Sequence, residues 1–155
     1  MTDTGLDVMR LHSWEEFQTW LAREVEVREE LEKMIGTELG LDEPSLDVLE
    51  AFLLRRYRNE EAALRLGERG VLDAAARHIG LVMVLNVDGA EWTIDLQNED
   101  NAYYALPIIR FADGAEECPL TMATAALDRR TGDYLRGIVG TYQEEYNGAP
   151  DEDRG

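Results

Sequence analysis

The sequence predicts an α+β fold, a mostly helical single domain with a small antiparallel sheet covered by helices. The strand signal is clearest over 88–96, where apolar and polar residues alternate as on a half-buried strand. The alternating residues are Trp92, Ile94 and Leu96 against Glu91, Thr93 and Asp95. A second strand is expected over 106–112, and Pro107 indicates an edge position or the very start of this strand, because proline cannot donate a ladder hydrogen bond. Helical spacing dominates elsewhere, and helices packed on a sheet bury both apolar faces.

The chain length is that of one domain. It has 155 residues, of which 45% are hydrophobic, enough for a single core. We expect residues 1–12 to form a flexible lead-in, residues 13–148 to form the domain, and residues 149–155 to form a disordered acidic tail.

Charge restricts the partners. The chain carries 33 acidic and 15 basic residues, a net charge of -18. Nucleic acids and anionic membranes are therefore not expected as partners, because phosphates are bound by lysine and arginine. The basic clusters, Arg55, Arg56 and Arg58 and then Arg129 and Arg130, are interpreted as charges that complement helix ends.

Compartment and source follow from composition. Cys118 is the single cysteine, and the sequence contains no apolar run of about 18 residues, so we expect a cytoplasmic protein. Basic residues are almost all arginine, which indicates a bacterial source with a GC-rich genome. No cofactor is expected.

Four helices are expected in the first half of the chain. The first spans 13–36, from a Ser13–Glu16 capping box to a glycine stop at Gly36. The second begins at Pro44 and ends near Arg58. A short third helix follows Asn59, and a longer fourth begins near Val71.

The segment 71–87 is ambiguous. A helix through Asn86 keeps one apolar stripe in register, although Gly80 costs it about 1 kcal/mol. The alternative is a strand over 81–87 that leads into the Asp88-Gly89 turn. The helix is favoured, and the alternative stays open. Two further helices are expected after the sheet, one from Cys118-Pro119 and one ending near Asn147.

One short resemblance is present. His78-Ile79-Gly80-Leu81, followed by Gly89-Ala90-Glu91-Trp92, resembles small uncharacterised bacterial domains in which a helical aromatic-x-Gly element precedes a Gly-x-x-Trp strand. His78 replaces the aromatic residue of those domains. The resemblance implies a transition from helix to strand and no activity.

Catalytic and metal signatures are weak. Cys118 at a helix start would have a lowered pKa and could pair with His78 and Asp95, but no local motif supports such a site. A buried structural cysteine is the favoured interpretation. Oxygen ligands near Asp95 lack the spacing of a calcium loop, so no metal site is expected.

The remaining candidate is a binding face made of aromatic and carboxylate side chains. Its predicted residues are Trp92, Glu99, Asp100, Tyr103, Tyr104, Glu116 and Glu117. The alternative is that Trp92 belongs to the core and the tyrosines close the sheet. The first functional hypothesis is a soluble acidic interaction protein, immunity-like or inhibitory, that binds a basic protein. The alternatives are a small enzyme using Cys118 or clustered carboxylates, and a structural subunit.

Overall fold

The computed structural model describes residues 5–148 and confirms the predicted α+β class. Within these residues the helices are α1 (Trp14–Ala22), α2 (Glu24–Ile35), α3 (Glu43–Arg56), α4 (Glu60–Ala63), α5 (Arg69–Asn86), α6 (Pro119–Arg129) and α7 (Tyr134–Tyr146). The strands are β1 (Glu91–Thr93), β2 (Ile108–Arg110) and β3 (Glu116–Glu117), in the order β1-β2-β3. No helix in this part of the chain has the length and apolar character needed to cross a bilayer.

The predicted pairing of the two strands is confirmed. β1 and β2 are antiparallel, and Trp92 lies opposite Ile109. Both strands are shorter than expected, and β3, which the sequence analysis does not predict, pairs with the other edge of β2. The predicted alternation of buried and exposed side chains holds only in part. Ile94 is 8% exposed, but Leu96 and Thr93 are both half-buried. The chain leaves the sheet after Thr93, so the strand period no longer applies there.

The helix α5 is the centre of the fold. It runs to Asn86, so the helical prediction for 71–87 is correct and the strand alternative is wrong. It contacts α2, α3, α4, α6, α7 and two strands. Almost every residue from Val71 to Met83 is buried, as expected of a helix enclosed by other elements. The apolar run after Gly80 therefore reflects burial rather than strand formation.

The predicted single helix over 13–36 is wrong, because the chain bends at Arg23. This residue has φ -92° and ψ 10°, and its N–H bonds to Trp20 O instead of continuing the regular ladder. The bend divides the predicted apolar stripe. Trp14 and Val25 are 56% and 54% exposed, whereas Phe17 and Leu31 are buried.

The segment before α1, predicted as a flexible lead-in, contacts the core. Gly5–Met9 is a 3₁₀ helix, and Leu6 and Met9 pack against the core. Leu11 N–H donates to Ala105 O at 2.7 Å. Residues 1–4 and the expected tail, 149–155, lie outside the described residues.

A buried carboxylate joins α3 to α7. Glu50 is fully buried and accepts hydrogen bonds from Leu135 N at 2.8 Å and Tyr134 N at 3.2 Å. These N–H groups belong to the first turn of α7, where no intrahelical acceptor exists. Asp133, at the N-cap position, makes no side-chain capping bond. Glu50 therefore caps α7 from another helix.

Candidate functional site

The predicted binding residues do not form one surface. Trp92, Ile109 and Glu117 lie in register on one face of the sheet, but Trp92 and Glu117 are two strands apart, roughly 10 Å. Glu116 lies in the row of Arg110, which points to the opposite face. Glu99 and Asp100 occupy a separate exposed turn. The predicted aromatic-plus-carboxylate face is therefore divided.

The tyrosines near β3 pack against the sheet, in agreement with the alternative interpretation. Phe111 stacks against Tyr142 and Tyr146, with ring centroids 4.3 and 4.9 Å away. Tyr142 OH donates to Glu117, and burial, then this hydrogen bond, raises the pKa of Tyr142. Tyr103 is half-buried against the core, and burial raises its pKa as well. These contacts are packing contacts.

Tyr104 is likewise half-buried, and its carbonyl accepts from Arg10.

The turn that carries Glu99 and Asp100 is held by its own side chains. The Asp95 carboxylate accepts from Gln97 N at 2.9 Å, Asn98 N at 3.1 Å and Asn101 Nδ2 at 2.9 Å. The Asn101 bond, and then the backbone bonds, hold the pKa of Asp95 below its usual range. Glu99 and Asp100 are thus exposed carboxylates on a turn with a defined conformation.

Trp92 instead lies beside Trp20, which is not among the predicted site residues. Their rings meet edge to face, with centroids 5.0 Å apart. Trp92 also lies on Gly80 of α5: a Cβ at position 80 would be 2.1 Å from Trp92 Cζ2. Trp20 is three residues after Phe17 on the same helix, and this spacing is the signal by which it could have been found.

Trp20 is fixed by an ion pair on α5. Its indole N–H donates to Asp73 Oδ1 at 2.9 Å, and Arg77 Nε donates to Asp73 Oδ2 at 2.7 Å. The Arg77 guanidinium lies 4.1 Å from the Trp20 ring centroid and also donates to the Trp20 carbonyl. Arg77 is only 6% exposed. Because both carboxylate oxygens and the ring face are occupied, the Trp20 side chain is held in one orientation.

These contacts form the floor of an open groove, the Trp20 groove. It has a volume of about 240 Å³ and is lined by Trp20, Leu21, Glu24, Arg77, Leu81 and Trp92. A second depression of about 410 Å³ also contacts Trp20 and Arg77, and Glu15 and Glu16 line it. Aromatic and aliphatic groups thus lie at the centre, and Glu15, Glu16, Glu24 and Arg23 lie around them. Of the predicted site residues, only Trp92 is part of this surface.

The side chains of the enzyme alternative have structural contacts. Cys118 is fully buried, and burial raises the pKa of its thiol, so the lowered pKa expected at a helix start is wrong. His78 Nε2 lies 2.8 Å from Ser45 Oγ, and the Asp95 carboxylate accepts a hydrogen bond from Asn101 within its own turn. Within residues 5–148 no three His, Cys, Asp or Glu side chains are placed to hold a metal ion.

The fold and the groove define a mostly helical α+β domain with an ordered aromatic surface bordered by carboxylates and Arg23. Comparisons with protein-family profiles, curated proteins and solved structures found no match.

Proposed function

We propose that this protein is an acidic interaction protein, immunity-like or inhibitory, that binds a basic protein partner through the Trp20 groove. The observation that carries the proposal is the Trp20–Trp92 pair, fixed by Asp73 and Arg77 and open to a groove. We propose a bacterial cytoplasmic location, supported by the arginine-rich composition and the single cysteine.

The composition of the groove supports a protein ligand. Tryptophan and arginine are enriched among residues whose truncation costs the most binding energy. Trp20, Trp92 and Arg77 are already ordered by contacts with one another, so binding would not have to immobilise them. Leu85, one helical turn beyond the groove residue Leu81, is 54% exposed and extends the apolar surface.

Charge supports a basic partner. The net charge of -18 attracts cationic proteins over a distance and disfavours nucleic acid. In the groove, Glu24 is paired with Arg28 at 2.9 Å. In the adjoining second depression, Glu16 accepts from His12 N, whereas Glu15 is exposed in the first turn of α1. Glu15 is therefore the rim carboxylate best placed to meet a cationic side chain of the partner.

The test is capture of partners from the cytosol of the source organism, followed by titration of the purified partner. We expect a basic protein, and we expect Glu15→Lys to weaken its binding roughly tenfold, the effect of 1.4 kcal/mol. The matched control is Glu61→Lys, which makes the same charge change at another exposed residue in the first turn of a helix. It should change the affinity less than about threefold.

A second pair of variants tests the apolar contact in the same binding experiment. Leu81→Ser lies in the groove, and Val48→Ser changes an exposed residue of α3. Only the first should weaken binding, because only Leu81 lines the groove. A partner that is acidic, or one that binds all four variants equally, would contradict the proposal.

A further inference from the structure

The structure brings together two basic clusters that are far apart in the sequence. Arg130 Nη1 donates to Tyr57 O at 3.1 Å, and Arg130 Nη2 donates to Leu54 O at 2.9 Å. Arg130 thus binds the last carbonyls of α3, as the helix-end interpretation predicts. The surface where these helix ends meet is called the basic pole, and the contacts and the pocket that define it involve Arg56, Arg65 and Arg130.

A pocket opens at the basic pole. It has a volume of about 380 Å³ and is lined by Arg56, Tyr57, Ala62, Arg65, Leu66 and Glu68. Glu68 Oε1 accepts from Tyr57 OH at 2.6 Å and from Arg56 Nε at 3.0 Å. Burial, and then this carboxylate, raises the pKa of Tyr57 to about 12. These bonds fix one wall of the pocket and use only Nε of the Arg56 guanidinium.

Two side chains of the pocket, those of Arg65 and Leu66, are exposed. The exposed Arg65 guanidinium forms no ion pair with a described residue, and the Arg56 Nη atoms form none either. Leu66 is 88% exposed, more than any other large apolar side chain of the described chain. The pocket therefore presents guanidinium donors beside an uncovered aliphatic side chain.

We propose that this pocket binds an acidic segment of a partner protein, in which a carboxylate side chain lies next to an aliphatic one. The planar guanidinium matches a carboxylate with two parallel N–H donors. Leu66 would be stabilised by apolar contact, because its exposed side chain would be removed from water. The occupant thus has the opposite charge to the partner proposed for the Trp20 groove, and the two proposals are independent.

The charge of the rest of the molecule selects a short carboxylate segment over a polyphosphate. Glu68 already neutralises part of the pocket, and a polyanion would extend beyond the pole into the field of a chain of net charge -18. A carboxylate segment needs only one or two donors, which the pocket supplies. Because the Debye length is about 8 Å at physiological salt, such a segment is screened from distant carboxylates.

The experiment is selection of a random peptide library on phage against the full chain, with counter-selection against the Arg65→Ala/Leu66→Ser variant. Both positions are exposed, so the variant should keep the fold. We expect the selected peptides to be enriched in Asp or Glu beside Leu, Ile or Val. A synthetic peptide of the consensus should bind the wild type roughly tenfold more tightly than it binds Arg65→Ala.

The matched control is Arg110→Ala, which removes an exposed arginine of the sheet, 4.0 Å from Glu116. It should change the affinity less than about twofold. Peptides without carboxylates, consensus peptides that bind Arg65→Ala and wild type equally, or displacement of the peptide by an oligonucleotide would each overturn the proposal.

Discussion

Gly80 of α5 makes room for the indole of Trp92. A Cβ at this position would be 2.1 Å from Trp92 Cζ2 and 2.2 Å from Cη2, far inside van der Waals contact. The glycine that weakens α5 as an isolated helix is therefore required by the packing of α5 against β1. This contact also sets the depth at which Trp92 reaches Trp20 and the groove.

We expect Gly80→Ala to destabilise the protein by about 1–3 kcal/mol, because overpacking outweighs the better helix propensity of alanine. Urea unfolding followed by circular dichroism measures the change. The control is Gly140→Ala on α7, where a Cβ meets nothing within 4 Å. That substitution should be neutral or stabilise by up to about 1 kcal/mol. Equal effects at the two glycines would contradict the close packing.

Glu50→Ala should be among the most destabilising substitutions of a charged residue. It leaves Tyr134 N and Leu135 N without the acceptor that caps α7, at a cost of about 1–3 kcal/mol for the buried Leu135 N–H and less for the half-buried Tyr134 N–H. Asp133→Ala, at the N-cap position itself, should cost under about 0.5 kcal/mol because its side chain makes no cap bond. Thermal unfolding of both variants compares them, and a larger effect at Asp133 would refute the assignment.

His78 makes stability depend on pH. Burial, and then the positive charge of Arg28, lowers its pKa to about 4, although Glu32 and Asp42 act in the opposite direction. Unfolded histidine has a pKa of about 6.5, so between these values the unfolded chain binds more protons and stability falls as the pH is lowered.

His78→Gln should remove this part of the pH dependence. The difference in unfolding free energy between wild type and variant should change by at most about 3 kcal/mol across the window from pH 6.5 down to pH 4. Comparing the two proteins cancels the titration of the many carboxylates. A difference that stays constant over this range would show that His78 is not buried as a neutral imidazole.

Cys118 is expected to be a structural residue. Its thiol is fully buried, lies 3.9 Å from Pro107 O and has a raised pKa through burial, so a thiol reagent should react slowly at neutral pH until the protein is unfolded. Cys118→Ala should cost under about 2 kcal/mol. Fast labelling of the folded protein would restore the nucleophile hypothesis.

The exposed carboxylates of the sheet region should act on the rate of association. Reversing Glu99, Asp100 and Glu116 to lysine should slow binding of a basic partner and weaken its salt dependence, because these charges act at long range. Glu117 is excluded from the set because it accepts from Tyr142. Stopped-flow kinetics at several salt concentrations measures the effect, and an association rate indifferent to salt would leave acidity as a solubility feature.

Local periodicity in the sequence was sufficient for the α+β class, for the helices α3, α6 and α7 and for the β1 and β2 segments, because each depends on residues close together in the chain. It favoured a helix over 71–87 but left a strand open. The tertiary structure alone decided the long-range contacts. The bond from Trp20 to Asp73 spans 53 residues, that from Leu135 to Glu50 spans 85, and that from Arg130 to Leu54 spans 76. These contacts create the groove, the cap of α7 and the basic pole. No local pattern encodes them, because each partner reaches the other only when the helices pack.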